Sequence, residues 1–108
     1  MALPTSFAGF AHSWNPGDWN LSVSGLQNLD TRVQAKAWFD DGMPVGCIIQ
    51  VVSASTTGLR ITENGETPTA TVGFELLAGQ SAWYANARMT QIIPISGTAT
   101  VNIGYFSG

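Results

Sequence analysis

The sequence predicts an all-β fold: a single β-sandwich of the jelly-roll type with about eight strands, preceded by an irregular N-terminal arm. Three observations predict it. Apolar and polar residues alternate in one short run after another, which is the period of a half-buried strand. Gly, Pro, Asn, Asp and Ser punctuate those runs at the spacing of a sandwich or barrel. No stretch carries an amphipathic helix of useful length. The expected division is residues 1–17 for the arm and 18–108 for the sandwich, with no repeat or linker between them. A chain of 108 residues is one domain with room for one hydrophobic core.

The arm reads MALPTSFAGFAHSWNPG, with Phe7, Phe10 and Trp14 three and four apart among small residues and His12 in the same stretch. Pro4, Gly9 and the Asn15-Pro16-Gly17 turn oppose a stable helix there. Aromatics without a strand pattern need a surface to pack on. That surface is either the sandwich itself or a neighbouring subunit, which makes Phe7, Phe10, His12 and Trp14 candidate partner-binding residues.

From Asp18 the runs follow in order. Leu21 and Val23 alternate with Asn20, Ser22 and Ser24, and Gly25 ends the run. Val33, Ala35, Ala37 and Phe39 alternate with Arg32, Gln34, Lys36 and Trp38, a strand with one wet face closed by Asp40-Asp41-Gly42. Cys47 to Val52 is apolar on both faces, as a central strand would be. Leu59 and Ile61 start a short strand, and Asn64-Gly65 is the strongest hairpin signal in the chain. After Pro68, the residues Ala70, Val72, Phe74 and Leu76 share one face. Ser81 to Ala87 carries Trp83 and Tyr84, which as neighbours on a strand must point to opposite faces. Ile92, Ile93 and Ile95 make the next strand, with Pro94 marking an edge or a bulge. The last strand puts Ala99, Val101, Ile103 and Tyr105 toward the core. On this pattern Phe74→Ala and Val101→Asp are both expected to destabilise severely.

Composition narrows the function. Charged residues are 10% of the chain against the usual quarter, and hydrophobic residues are 44%. Either part of the surface is covered by a partner, or Ser, Thr, Asn and Gln keep it soluble. Arg32, Lys36, Arg60 and Arg88 are scattered and the net charge is −3, so no basic stripe exists for nucleic acid. No run approaches a membrane span, and Met1-Ala2-Leu3-Pro4 does not open a secretory signal. The expected site of synthesis is a host cytoplasm. The single cysteine, Cys47, sits in an apolar run and reads as a buried structural thiol.

Catalytic patterns are not found. His12 is the one histidine, too few for a cupin-like metal site or a three-ligand zinc site. No serine lies in a G-x-S-x-G elbow, and the glycines are dispersed rather than gathered in a phosphate loop. Asp40-Asp41 and Glu63/Glu66 read as turn residues. The expectation is therefore no enzyme, no metal and no cofactor. Four tryptophans in so short a chain point instead to surface recognition. Trp38, on the polar face of its run, and Tyr84 are the candidate surface aromatics, either as sugar-stacking platforms or as protein anchors.

The C-terminal third carries Leu76-Leu77-Ala78-Gly79-Gln80-Ser81, then Gln91 to Ser96, then Gly97-Thr98-Ala99-Thr100-Val101-Asn102-Ile103-Gly104-Tyr105. This resembles the small jelly-roll capsid decoration (cement) proteins of tailed bacteriophages, in which a strand ends at a Gly-Gln-Ser turn and a Thr-Ala-Thr-Val strand closes the domain. The resemblance implies a structural protein on the virion surface that binds the major capsid protein and stabilises the shell. It further implies a homo-oligomer, dimer or trimer, with terminal arms gripping neighbours. The other reading is a carbohydrate-binding or host-attachment sandwich, with glycans as partners.

Overall fold

The computed structural model describes residues 14–34 and 46–106. Among the described residues, eight strands form two four-stranded antiparallel sheets packed face to face, as the sequence predicts for an all-β sandwich. The strands are β1 (Trp14–Val23), β2 (Gln27–Asn28), β3 (Gly46–Val51), β4 (Leu59–Thr62), β5 (Phe74–Leu76), β6 (Ser81–Tyr84), β7 (Gln91–Pro94) and β8 (Ala99–Phe106). Sheet I has the order β1-β8-β3-β6 and sheet II the order β2-β7-β4-β5. The pairings are nested: β1 with β8, β2 with β7, β3 with β6, and β4 with β5. A chain paired in this way is a two-stranded ribbon folded over on itself.

The core lies between the sheets. Val101, Ile103 and Tyr105 of β8 and Cys47, Ile49 and Val51 of β3 are fully buried from one side. Leu59, Ile61 and Ile92 are fully buried from the other. β8 and β3 are the inner strands of sheet I, which is why their inward faces carry the largest run of β-branched residues.

Several sequence expectations are corrected. Residues Arg32 to Gln34 are helical: α1 (Leu29–Gln34) occupies the start of the expected 32–39 strand, and the rest of that run lies outside the described residues. The helix forms because Leu29 and Val33, one turn apart, are both fully buried, while the Asn28 side chain accepts from the Asp30 N–H at 3.0 Å and caps the first turn. Gln34 also donates back to Asp30 at 2.7 Å. The expected irregular arm to Gly17 ends earlier, since β1 begins at Trp14 and the Asn15-Pro16-Gly17 segment is strand, with register shifts on either side of Asp18.

The Asn64-Gly65 pair does not close a two-residue hairpin. Gly65 has φ +83° within a longer connection that runs to Phe74. The expected strand from Thr69 shrinks to Phe74–Leu76, because Gly73 at φ +119° breaks the extended backbone and lies against the Ile61 backbone. The strand expected over Ser81 to Ala87 ends at Tyr84, and Ala87–Met89 forms a 3-10 turn. Pro94 sits in an inner strand, not an edge. β2 reaches only Gln91 and Ile92, so Pro94 has no β2 residue beside it to need its missing N–H.

Phe74 is the main burial error. It pairs with the fully buried Ile61 and so shares the inward side of sheet II, yet it is 68% exposed. β5 is the edge strand, and Phe74 overhangs the rim. Period-two alternation reports the side of a sheet, not whether anything covers it.

Candidate functional site

The outward face of sheet I presents an ordered array of apolar and amide side chains. Register places two rows of side chains across it. Gly104 of β8, Ile48 of β3 and Trp83 of β6 are directly paired and make the first row. Asn102, Gln50 and Ser81 are paired in the same way and make the second. The Trp19 ring completes the β1 side and, with Ile48, Gln50, Ser81, Asn102 and Gly104, encloses a shallow groove of about 170 Å³. The outward positions of β8, β3 and β6 carry no Asp, Glu, Lys or Arg between Gly46 and Gln50, between Ser81 and Trp83, or between Thr100 and Phe106.

Local backbone chemistry sets the β1 side of this groove. The register shifts around Asp18 interrupt the regular ladder with β8, and bulges of this kind re-aim side chains. Asn20 takes the left-handed conformation at φ +51°, which asparagine tolerates better than most residues. Trp19 next to it is 65% exposed and its ring lies over Gly17. A Cβ on Gly17 would come within 2.9 Å of the ring and would also collide with the Ile103 carbonyl oxygen. Trp19 thus depends on a bare backbone beneath it.

The polar row is oriented by the backbone. The Asn20 N–H donates to Asn102 Oδ1 at 2.7 Å, so the oxygen of that amide must face β1. Asn102 Nδ2 then donates to Gln50 Oε1 at 3.0 Å. Since a backbone N–H only donates, the direction of both amides is fixed, and Gln50 Nε2 is the donor at the end of the relay. Trp83 is half-exposed, and its ring packs on Phe106 with centroids 5.6 Å apart and a tilt of 55°.

The body under the groove is held by a buried ion pair. Asp18, 8% exposed, accepts from Arg32 Nε and Nη2, both at 3.0 Å, and from the Tyr105 hydroxyl at 2.7 Å. The fork ties α1 to β1 and to the core face of β8. The hydrogen bond to Asp18 raises the Arg32 pKa, and burial followed by the same carboxylate raises that of Tyr105. This cluster is a structural clamp, its carboxylate, guanidinium and hydroxyl paired with one another.

A second concavity of about 390 Å³ lies at the far edge of sheet II, between Ile61, Thr62, Gly73 and the exposed Phe74, with Glu63, Asn64 and Glu66 at its mouth. Val72 and Leu77, on either side of β5, are also exposed.

The residues singled out from the sequence fall differently. Phe7, Phe10, His12 and Trp38 lie outside the described residues. Trp14 enters as the first residue of β1, with nothing described of its side chain. Tyr84 is corrected: it is 7% exposed and faces the core opposite Cys47, and its hydroxyl is pushed up to about 12 by burial. Its neighbour Trp83 takes the outward position, so the expected division of the pair holds with the roles fixed. Trp19 and the Gln50–Asn102 relay were missed, because their convergence depends on strand order. Among the described residues no group of three or more His, Cys, Asp or Glu could hold a metal ion, and no helix is long and apolar enough to cross a membrane. Comparison with protein-family models, with curated proteins and with solved structures gives no match.

Proposed function

We propose that this chain is a non-enzymatic structural protein of a virion, a capsid decoration protein that binds the major capsid protein lattice and stabilises the shell. The observation that carries the reading is the nested strand pairing. β1-β8-β3-β6 facing β2-β7-β4-β5 is the order expected when an eight-stranded ribbon rolls up as a jelly roll, an architecture shared by viral capsid and lectin domains. Support also comes from the rim of sheet II. Phe74, Val72 and Leu77 are exposed apolar anchors beside Glu63 and Glu66, a combination suited to a capsid segment with apolar and basic side chains. Repetition over a shell lets each such contact be weak, and a homo-oligomer would multiply it further.

The test takes a major capsid protein whose gene neighbours that of this chain and assembles shells from it. Added protein is expected to co-sediment with them to a fixed ratio and to raise their melting temperature. Phe74→Glu is expected to weaken that binding while leaving the fold intact. A truncation lacking residues 1–13 removes Phe7, Phe10 and His12 without entering β1, and is expected to weaken binding too if the arm grips a neighbour. Failure of the intact chain to bind shells, or its absence from purified virions, would sink the reading.

A further inference from the structure

We infer that the groove on the outward face of sheet I is a binding site for a neutral glycan, with the pyranose ring lying flat across β8 and β3. This goes beyond shell attachment and does not rest on it, since the proposed shell contact lies at the opposite sheet. The face is built in two parallel stripes. Trp19, Gly104, Ile48 and Trp83 form an apolar stripe, and Asn102, Gln50 and Ser81 form a hydrogen-bonding one beside it. Residues two apart on a strand are separated by ~7 Å, about the width of one sugar ring. A pyranose has the matching division, with C–H groups on its faces and hydroxyls at its edge.

Three features of the site select this ligand class. Glycine at position 104 is buried at the base of the groove and adds no side chain between Trp19 and Ile48. Trp19, 65% exposed, presents an indole whose face suits C–H stacking and whose N–H can donate. The amide relay from the Asn20 backbone presets Gln50 Nε2 as a donor, so no reorientation is needed when a hydroxyl arrives. A few fixed polar groups set among apolar ones are the usual make-up of a small-ligand site.

Charge decides between ligand classes. The two stripes contain no ionisable side chain. A nucleic acid, a sialylated chain or a charged peptide would find no counter-charge there, whereas a neutral saccharide needs none. Trp19 on β1 and Trp83 on β6 stand at opposite edges of a four-stranded sheet, ~14 Å apart at the usual strand spacing. That distance lets the face take an oligosaccharide rather than a single sugar.

The test is a glycan array probed with the full-length chain, carrying neutral glucose, galactose, mannose and N-acetylglucosamine oligomers beside sialylated and uronic-acid chains. Positive ligands are then titrated by tryptophan fluorescence. Binding confined to neutral oligomers is expected, with affinity reduced about tenfold or more in Trp19→Ala and in Gln50→Glu, which keeps the shape and inverts the donor. Both positions are exposed, and unchanged thermal melts are to confirm that the variants fold. Phe74→Glu, on the other sheet, is expected to bind the same glycans as well as the parent chain. The inference is overturned by no binding to any neutral glycan, by preference for charged glycans, or by binding that survives both substitutions. It is equally overturned if Trp19→Ala removes shell binding and no glycan is bound, since the face would then be a protein interface.

Discussion

The outward faces of the two sheets are built from similar strands and bond their polar groups in opposite ways. On sheet II, Arg60 reaches over its own edge. Its Nε donates to the Ala70 carbonyl at 3.1 Å, its Nη1 to the Gly73 carbonyl at 3.2 Å, and its Nη2 lies 3.3 Å from Glu75. That guanidinium is occupied in holding the 69–73 connection against the sheet. On sheet I the polar groups bond along the surface instead, from Asn20 to Asn102 to Gln50, and the relay ends on a donor at the surface. A face whose polar groups close on the protein itself serves stability, and one that ends in a donor is available to a ligand.

The largest effect separates both faces from the core they share. Val101→Asp would put a carboxylate at a fully buried position on the inner strand β8, so the chain is expected not to fold, with loss of the β circular-dichroism signal and of soluble expression. A cooperative melt near that of the parent would show that the inward faces are misassigned.

Next comes a paired contrast within sheet II. Ile61 and Phe74 are register partners, one fully buried and one 68% exposed. Ile61→Ala is expected to cost about 2–5 kcal/mol in denaturant unfolding. Phe74→Ala should change stability by no more than about 0.5 kcal/mol, the reverse of what alternation alone suggests. Equal losses at the two positions would mean that the rim is covered.

The direct comparison of faces is Arg60→Ala against Trp19→Ala. Removing Arg60 breaks three contacts, two of them to backbone carbonyls, and about 1–2 kcal/mol should be lost. Proteolysis should also speed up in the 69–73 connection. Trp19→Ala should leave stability within about 0.5 kcal/mol. If the tryptophan proved the costlier loss, sheet I would be the structural face.

The most gradual effect is with pH. Burial pushes the Cys47 thiol up to about 12 and the Tyr84 hydroxyl likewise to about 12. In the unfolded chain these groups titrate at about 8.5 and 10. Above that range the unfolded chain releases protons that the folded chain retains, so stability falls as pH rises from about 9 toward 12 and is unaffected by these groups below about 8. Thermal melts from neutral to alkaline pH should show this decline, and Cys47→Ala should delay its onset. A flat profile would mean that these groups are hydrated in the folded state.

Much of this architecture is legible from residues alone. The inward set on β8, the doubly apolar β3, the run ending at Val23 and the outward-inward split of Trp83 and Tyr84 all follow from period-two alternation, a local property. The helix was legible in principle: Asn28 before Leu29 with Val33 one turn later is a cap and a helical spacing. The alternation of 33, 35, 37 and 39 hid it, because short runs satisfy both periods at once. Phe74 was misjudged because exposure at an edge depends on what lies across the rim, which no local pattern contains.

What the sequence determined by itself was the all-β class, the inward set of β8 and the doubly apolar β3, since backbone period acts over a few neighbours. Only the tertiary structure decided that Trp19, Gln50 and Asn102, drawn from β1, β3 and β8, would meet on one uncharged face. Their convergence follows from nested pairing, which brings the first strand beside the last, and such long-range pairing is set by the packing of the whole sheet rather than by any single segment.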